Sequence, residues 1–177
     1  MEQLELLQRQ NKALKHLSAL PRKMLLLHGM DNVTEFVLHD LCDAQCFNLT
    51  KAAYFVDNPD FNCTKGVAGF SREESFAGAD ALWQDPKTFS AHMALSPFNQ
   101  RVRSLNRCSI QKGAESREDL ATMLAKDLGF ANHGYCSWNM RYDNHGFMLY
   151  EKADIAEPIA DEQLLDGMCL LSFCPIF

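Results

Sequence analysis

The sequence predicts an α+β domain built on a central antiparallel sheet, with helices at both chain ends. Two observations carry that expectation. Strand-turn-strand patterns occur at KAAYFVDNPDFNCTKGVAGF and at GYCSWNMRYDNHGFMLYEK, each reading as a hairpin. Segments with helical periodicity precede, separate and follow them. A length of 177 residues is within the range of one domain, so one core is expected.

Residues 2–20 contain no Gly or Pro before Pro21 and are rich in Leu, Gln, Lys and Glu, all good helix formers. Leu4, Leu7, Asn11, Leu14 and Ser18 fall on alternating three- and four-residue spacings, the seam of a short coiled coil with a register-setting Asn. Residues 1–20 are therefore read as an N-terminal helix and a possible dimerisation element, and residues 21–177 as a single domain. Packing on the helix's own domain and pairing with a second chain both remain open. Asp31 or Asn32 can cap a second helix with Val33, Phe36, Val37 and Leu41 on its apolar face, ending near Asp43.

Lys51 to Asp57 and Asn62 to Phe70 read as the first hairpin, turning at DNPD. The repeated Phe-Asn-x-Thr-Lys at Phe47 and Phe61 marks similar approaches to its two strands. In the middle segment, Glu73 to Leu82 and Pro86 to Leu95 read as short helices, with Pro97 breaking the second. A strand or a helix is open before Gly113. SREDLATMLAKDLGF gives a firmer helix: Ser116 and Asp119 form a capping box, Leu120, Met123, Leu124 and Leu128 a stripe, and Gly129 a stop. Gly134 to Tyr142 and Phe147 to Lys152, joined by DNHG, make the second hairpin. A loop over Ala153 to Ile159 leads to a last helix capped by Asp161, with Leu164, Leu165, Met168, Cys169 and Ser172 on one face and Pro175 at its end.

Composition narrows the function classes. Hydrophobic residues make up 47% and charged residues 23%, as in an ordinary globule, and no apolar run suggests a membrane span. The N-terminal stretch lacks the apolar centre and cleavage site of a secretory signal, so a cytoplasmic protein is expected and its three Asn-x-Thr triplets read as chance. Seven cysteines, an odd number without regular spacing, suggest reduced thiols and no disulfide framework. The net charge of −6 argues against nucleic acid as a partner, although residues 1–30 carry five Lys/Arg and two Asp/Glu. No phosphate-binding Gly loop, Gly-x-Ser-x-Gly or His-Glu-x-x-His motif is present.

The order helix, helix, hairpin, variable middle, helix, hairpin, helix resembles the GAF family of small-molecule-binding sensor domains, and the PAS-like sheet is similar. KAAYFVDNPDFNCTKGVAGF looks like the first GAF hairpin. GYCSWNMRYDNHGFMLYEKADIAEPIADEQLLDGMCLL looks like the closing strands, acidic loop and helix. The resemblance implies terminal helices together on one sheet face, a ligand pocket on the other, and a regulatory role exerted through a partner or a homodimer. In the family's methionine sulfoxide reductase branch a glycine-rich segment carries cysteines; KGVAGF has Val67 and Ala68 there instead.

On the last hairpin, Cys136, Trp138 and Met140 alternate on one face, with Tyr135, Ser137, Asn139 and Arg141 on the other. That second face must meet water or a pocket. As pocket groups, Arg141 would hold an anion while Ser137 and Asn139 supply neutral donors and acceptors. Trp83, Phe89 and His92 are the expected lid, over a small and at least partly anionic ligand. Two alternatives stand beside this reading. One is a thiol- or metal-dependent enzyme using His39, Cys42 and Cys46, with Cys63 approaching from the hairpin, or Cys136 near His133 and His145. The other is a protein-protein adaptor working through the N-terminal helix. No cofactor is assigned.

Overall fold

Along the first strand, β1 (Leu49–Asn58), successive side chains go to opposite sides of the sheet. Ala52, Tyr54 and Val56 enter one core, and Ala53 and Phe55 enter another. The computed structural model describes residues 2–74, 76, 79–113, 115–153 and 161–174. It is an α+β fold with β2 (Cys63–Ser71), β3 (Asn106–Arg107), β4 (Gly134–Asn139) and β5 (His145–Lys152) completing an open antiparallel sheet in the order β3-β2-β1-β5-β4. The two hairpins foreseen in the sequence thus join through β1 and β5 at the centre. The loop expected over Ala153 to Ile159 and the stop at Pro175 lie largely or wholly outside the described residues.

The first face is covered by α1 (Glu2–Leu25), α2 (Val33–Cys42), α3 (Ala79–Gln84), α4 (Pro86–Leu95), α7 (Asp161–Met168) and the 3₁₀ turn Cys169–Phe173. Leu20, Phe36, Phe89, Leu164, Met168 and Leu171 are all fully buried or nearly so in that core. Elements from both chain ends therefore share one face. The second face is closed by α5 (Pro97–Ser104) and α6 (Arg117–Leu128), through Phe98, Val102, Leu120, Leu124 and Leu128. α6 has the foreseen capping box of Ser116 and Asp119, and it stops at Gly129, whose φ of 71° is left-handed.

Three elements differ from the sequence reading. α1 does not stop before Pro21 but runs through it to Leu25. The missing hydrogen bond is tolerated because Leu20, Met24 and Leu27 prolong the side of the chain that packs on the core. In place of one helix from Glu73 to Leu82 there is a 3₁₀ turn at Arg72–Glu74, then α3. The last hairpin turns at 141–144, two residues before the expected site. Tyr142 and Asp143 have φ of 58° and 56°, and Asn144 N donates to the Arg141 carbonyl at 3.3 Å, as in a type I′ turn. The register pairs Trp138 with Gly146. A Cβ on Gly146 would lie 2.2 Å from the indole, so the glycine makes room for Trp138, which stacks on Tyr54 and donates from Nε1 to Ser172 Oγ at 2.6 Å.

One buried carboxylate fixes the far end of the sheet. Asp57 Oδ1 accepts from Thr64 Oγ1 at 2.7 Å and from Ile110 N at 3.1 Å, and Oδ2 accepts from Ser109 Oγ at 3.1 Å. Asp57→Asn keeps the shape and removes the charge, so a loss of about 1–2 kcal/mol is expected, read as a lower urea midpoint. A wild-type midpoint would refute this account of the 108–111 loop.

Candidate functional site

α1 carries two stripes. Leu6, Gln10, Ala13, Leu17, Leu20, Met24 and, just beyond the helix, Leu27 are half-buried or buried. Leu4, Leu7, Asn11, Leu14, Ser18 and Leu25 repeat with the same three-four spacing but are exposed, the leucines at 54–77%. At 3.6 residues per turn the two stripes lie about 120° apart. The helix therefore rests on its own body with one face and turns a second apolar seam outward. Only the outward stripe was legible as a seam in the sequence; the inward one has the same spacing but is broken by Gln10 and Ala13.

Where the body meets α1, a buried carboxylate gathers polar groups. Asp40 of α2 is fully buried. Its Oδ1 accepts from Trp83 Nε1 at 2.8 Å and from Lys23 Nζ at 3.4 Å, and its Oδ2 lies 3.0 Å from His16 Nε2. These residues escaped the sequence reading, although an acid within the otherwise apolar face of α2 and the seven-residue spacing of His16 and Lys23 on α1 were both visible. Beyond the end of α1, an open apolar cleft of about 580 Å³ is lined by Met24, Leu27, Met30, Val33, Leu170 and Phe173, among others. That size and lining are those of a small-molecule site.

The residues expected to form an anion pocket do not meet. Ser137 faces α6, where it accepts from Arg117 at 3.0 Å, and Tyr135 stacks on Phe147 in the second core. Asn139 is exposed at the end of β4. Arg141 is exposed in the turn, not held within a strand. Trp83, Phe89 and His92 belong with the first face: Phe89 is fully buried there, Trp83 packs on the same core, and His92 Nε2 contacts the Glu74 carbonyl at 2.6 Å. The sheet separates this expected lid from Ser137. Alternation along β4 gave the two faces correctly, but it could not show that α5 and α6 fill the second.

Nor do His39, Cys42, Cys46 and Cys63 converge. His39 stands edge-on to Phe70 and Phe89, and burial pushes its pKa down to about 3. It packs on Phe70 near one end of β2, while Cys63 begins the strand at the other, about 20 Å away at strand spacing. Among the described residues, no three His, Cys, Asp or Glu side chains are placed to hold a metal. Burial raises the thiol of Cys42 and pushes Cys46 up to about 12, the reverse of what a nucleophile needs. Cys136 is half-buried against the first core. No described helix is long and apolar enough to cross a membrane. No family model, curated protein or solved structure matches this chain.

Proposed function

We propose that the chain is a cytoplasmic regulatory domain of the sensor type, GAF- or PAS-like in build, that acts by self-association through α1. The observation that carries this reading is the exposed stripe of Leu4, Leu7, Asn11, Leu14, Ser18 and Leu25, turned away from the stripe that rests on the body. A leucine seam with polar Asn11 and Ser18 at a positions resembles a short two-stranded coiled coil, and a second copy is the partner that presents the same seam. Because the other side of α1 packs on the sheet's core, a change in the body has a short path to the seam. Joined hairpins with elements of both chain ends on one face favour the GAF-like build. Seven cysteines, an odd number without regular spacing, favour a reducing compartment.

A small molecule on this reading enters the cleft beyond α1, whose apolar lining suits an uncharged or amphipathic ligand better than a free anion. The test of the functional reading is the double variant Leu7→Glu, Leu14→Glu, measured by sedimentation and by urea unfolding. Both leucines are exposed in the single chain, so the stability of the separated chain should stay within about 0.5 kcal/mol while the dimer dissociates. A variant that sediments as the wild type does would remove self-association through this stripe.

A further inference from the structure

The cluster at Asp40 ties three elements to one buried charge. His16 and Lys23 come from α1, two turns apart with fully buried Leu20 between them, Asp40 from α2 and Trp83 from α3. The Lys23 ammonium also lies 5.5 Å from the centre of the Trp83 ring. His16 is 13% exposed in its side chain and Lys23 23%. The His16 Nε2 to Asp40 Oδ2 contact of 3.0 Å lies off hydrogen-bond geometry.

We propose that this cluster is a proton-controlled latch on α1, in which protonated His16 closes an ion pair with Asp40 and holds the helix against the body, and loss of that proton loosens it. A neutral imidazole leaves the carboxylate only an uncharged neighbour at Oδ2, so the contact falls from charge-assisted to weak. Lys23 then balances Asp40 alone, from the far side of Leu20. The latch operates within one chain and does not rest on self-association.

The charged and titratable groups around His16 set the direction. The Asp40 carboxylate raises its pKa above the ordinary 6.5, burial and Lys23 oppose the rise, and Asp43 at the end of α2 adds to it. Cys46, close enough to feel the Asp40 and Asp43 carboxylates, is pushed by burial up to about 12 and stays a neutral thiol throughout the range. A group raised in the folded state contributes its full stabilisation below the unfolded pKa of 6.5 and loses it as pH rises through the folded value. The latch is closed below the unfolded pKa of 6.5 and opens as pH rises through the higher folded value.

Trp83 reports on the latch directly, because its indole donates to the same carboxylate. Trp138 is the only other tryptophan, and Trp138→Phe keeps a ring against Tyr54. In the full chain carrying that change, Trp83 emission is followed from about pH 6 to about pH 9, with hydrogen exchange of the amides of residues 10–20 corrected for the intrinsic rate. The expected result is an emission change with its midpoint above 6.5 and several-fold faster α1 exchange on the alkaline side. His16→Gln should abolish both transitions. Asp40→Asn, which retains an acceptor for Trp83, should abolish them too. A parent without a transition, or a His16→Gln variant that titrates as the parent does, overturns the proposal. Should the Trp138→Phe chain fail to fold, exchange of α1 in the wild type and in His16→Gln decides by the same criteria.

Discussion

Gly66→Ala is expected to destabilise the domain by about 3 kcal/mol or more, and to do so by prying α5 off the sheet. A Cβ at Gly66 would lie 1.8 Å from the Val102 carbonyl oxygen and 2.7 Å from its carbon. Both are backbone atoms, so no rotamer change relieves the clash. Gly66 N also donates to the Leu105 carbonyl at 3.0 Å, so the helix end is drawn onto the strand where it has least room to retreat. Overpacking of a close-packed core costs about 1–3 kcal/mol when side chains can adjust, and a backbone obstacle lies at or beyond the top of that range. The expected displacement takes Phe98 and Val102 out of the second core. Urea unfolding reads the loss as a lower midpoint. A variant within about 0.5 kcal/mol of wild type would mean that α5 does not sit on β2 as described.

Asp40→Ala is the second large effect, expected at about 3 kcal/mol. Removing one member of a buried charged cluster typically costs about 3–5 kcal/mol because the remaining groups lose their partner. Here Lys23 is partly exposed and can turn toward water, which trims the figure, while the part-buried Trp83 N–H loses its acceptor. The loss should fall unevenly. Amide exchange in α1 and α3 should accelerate while β1 and β5 keep their protection. Uniform loss of protection across the sheet would assign Asp40 to the core as a whole and not to the seating of α1.

Periodicity and capping made most of the fold legible. The capping box and glycine stop of α6, the apolar face of α2 and the alternation along β1 and β4 are local signals, and the structure follows them. Where the reading failed, a non-local contact decided. Pro21 reads as a helix stop from its own chemistry, yet the continuing buried face carries α1 to Leu25. DNHG reads as the turn, yet the fit of Trp138 over Gly146 moves it to 141–144. The expected anion site failed for the same reason. Ser137 and Arg141 share a strand face on paper, but the turn takes Arg141 out of β4 and α6 covers Ser137. The outward stripe of α1 was legible because its spacing is local, whereas the Asp40 cluster depends on three elements folding together.

Self-association through that stripe is tested most directly by the absolute mass of the wild-type chain, measured by light scattering over a series of concentrations. The single chain has a mass of 20.1 kDa. The account predicts a mass approaching twice that value as concentration rises, returning to the single-chain mass in Leu7→Glu, Leu14→Glu. A wild type that remains at 20.1 kDa throughout the series would contradict it.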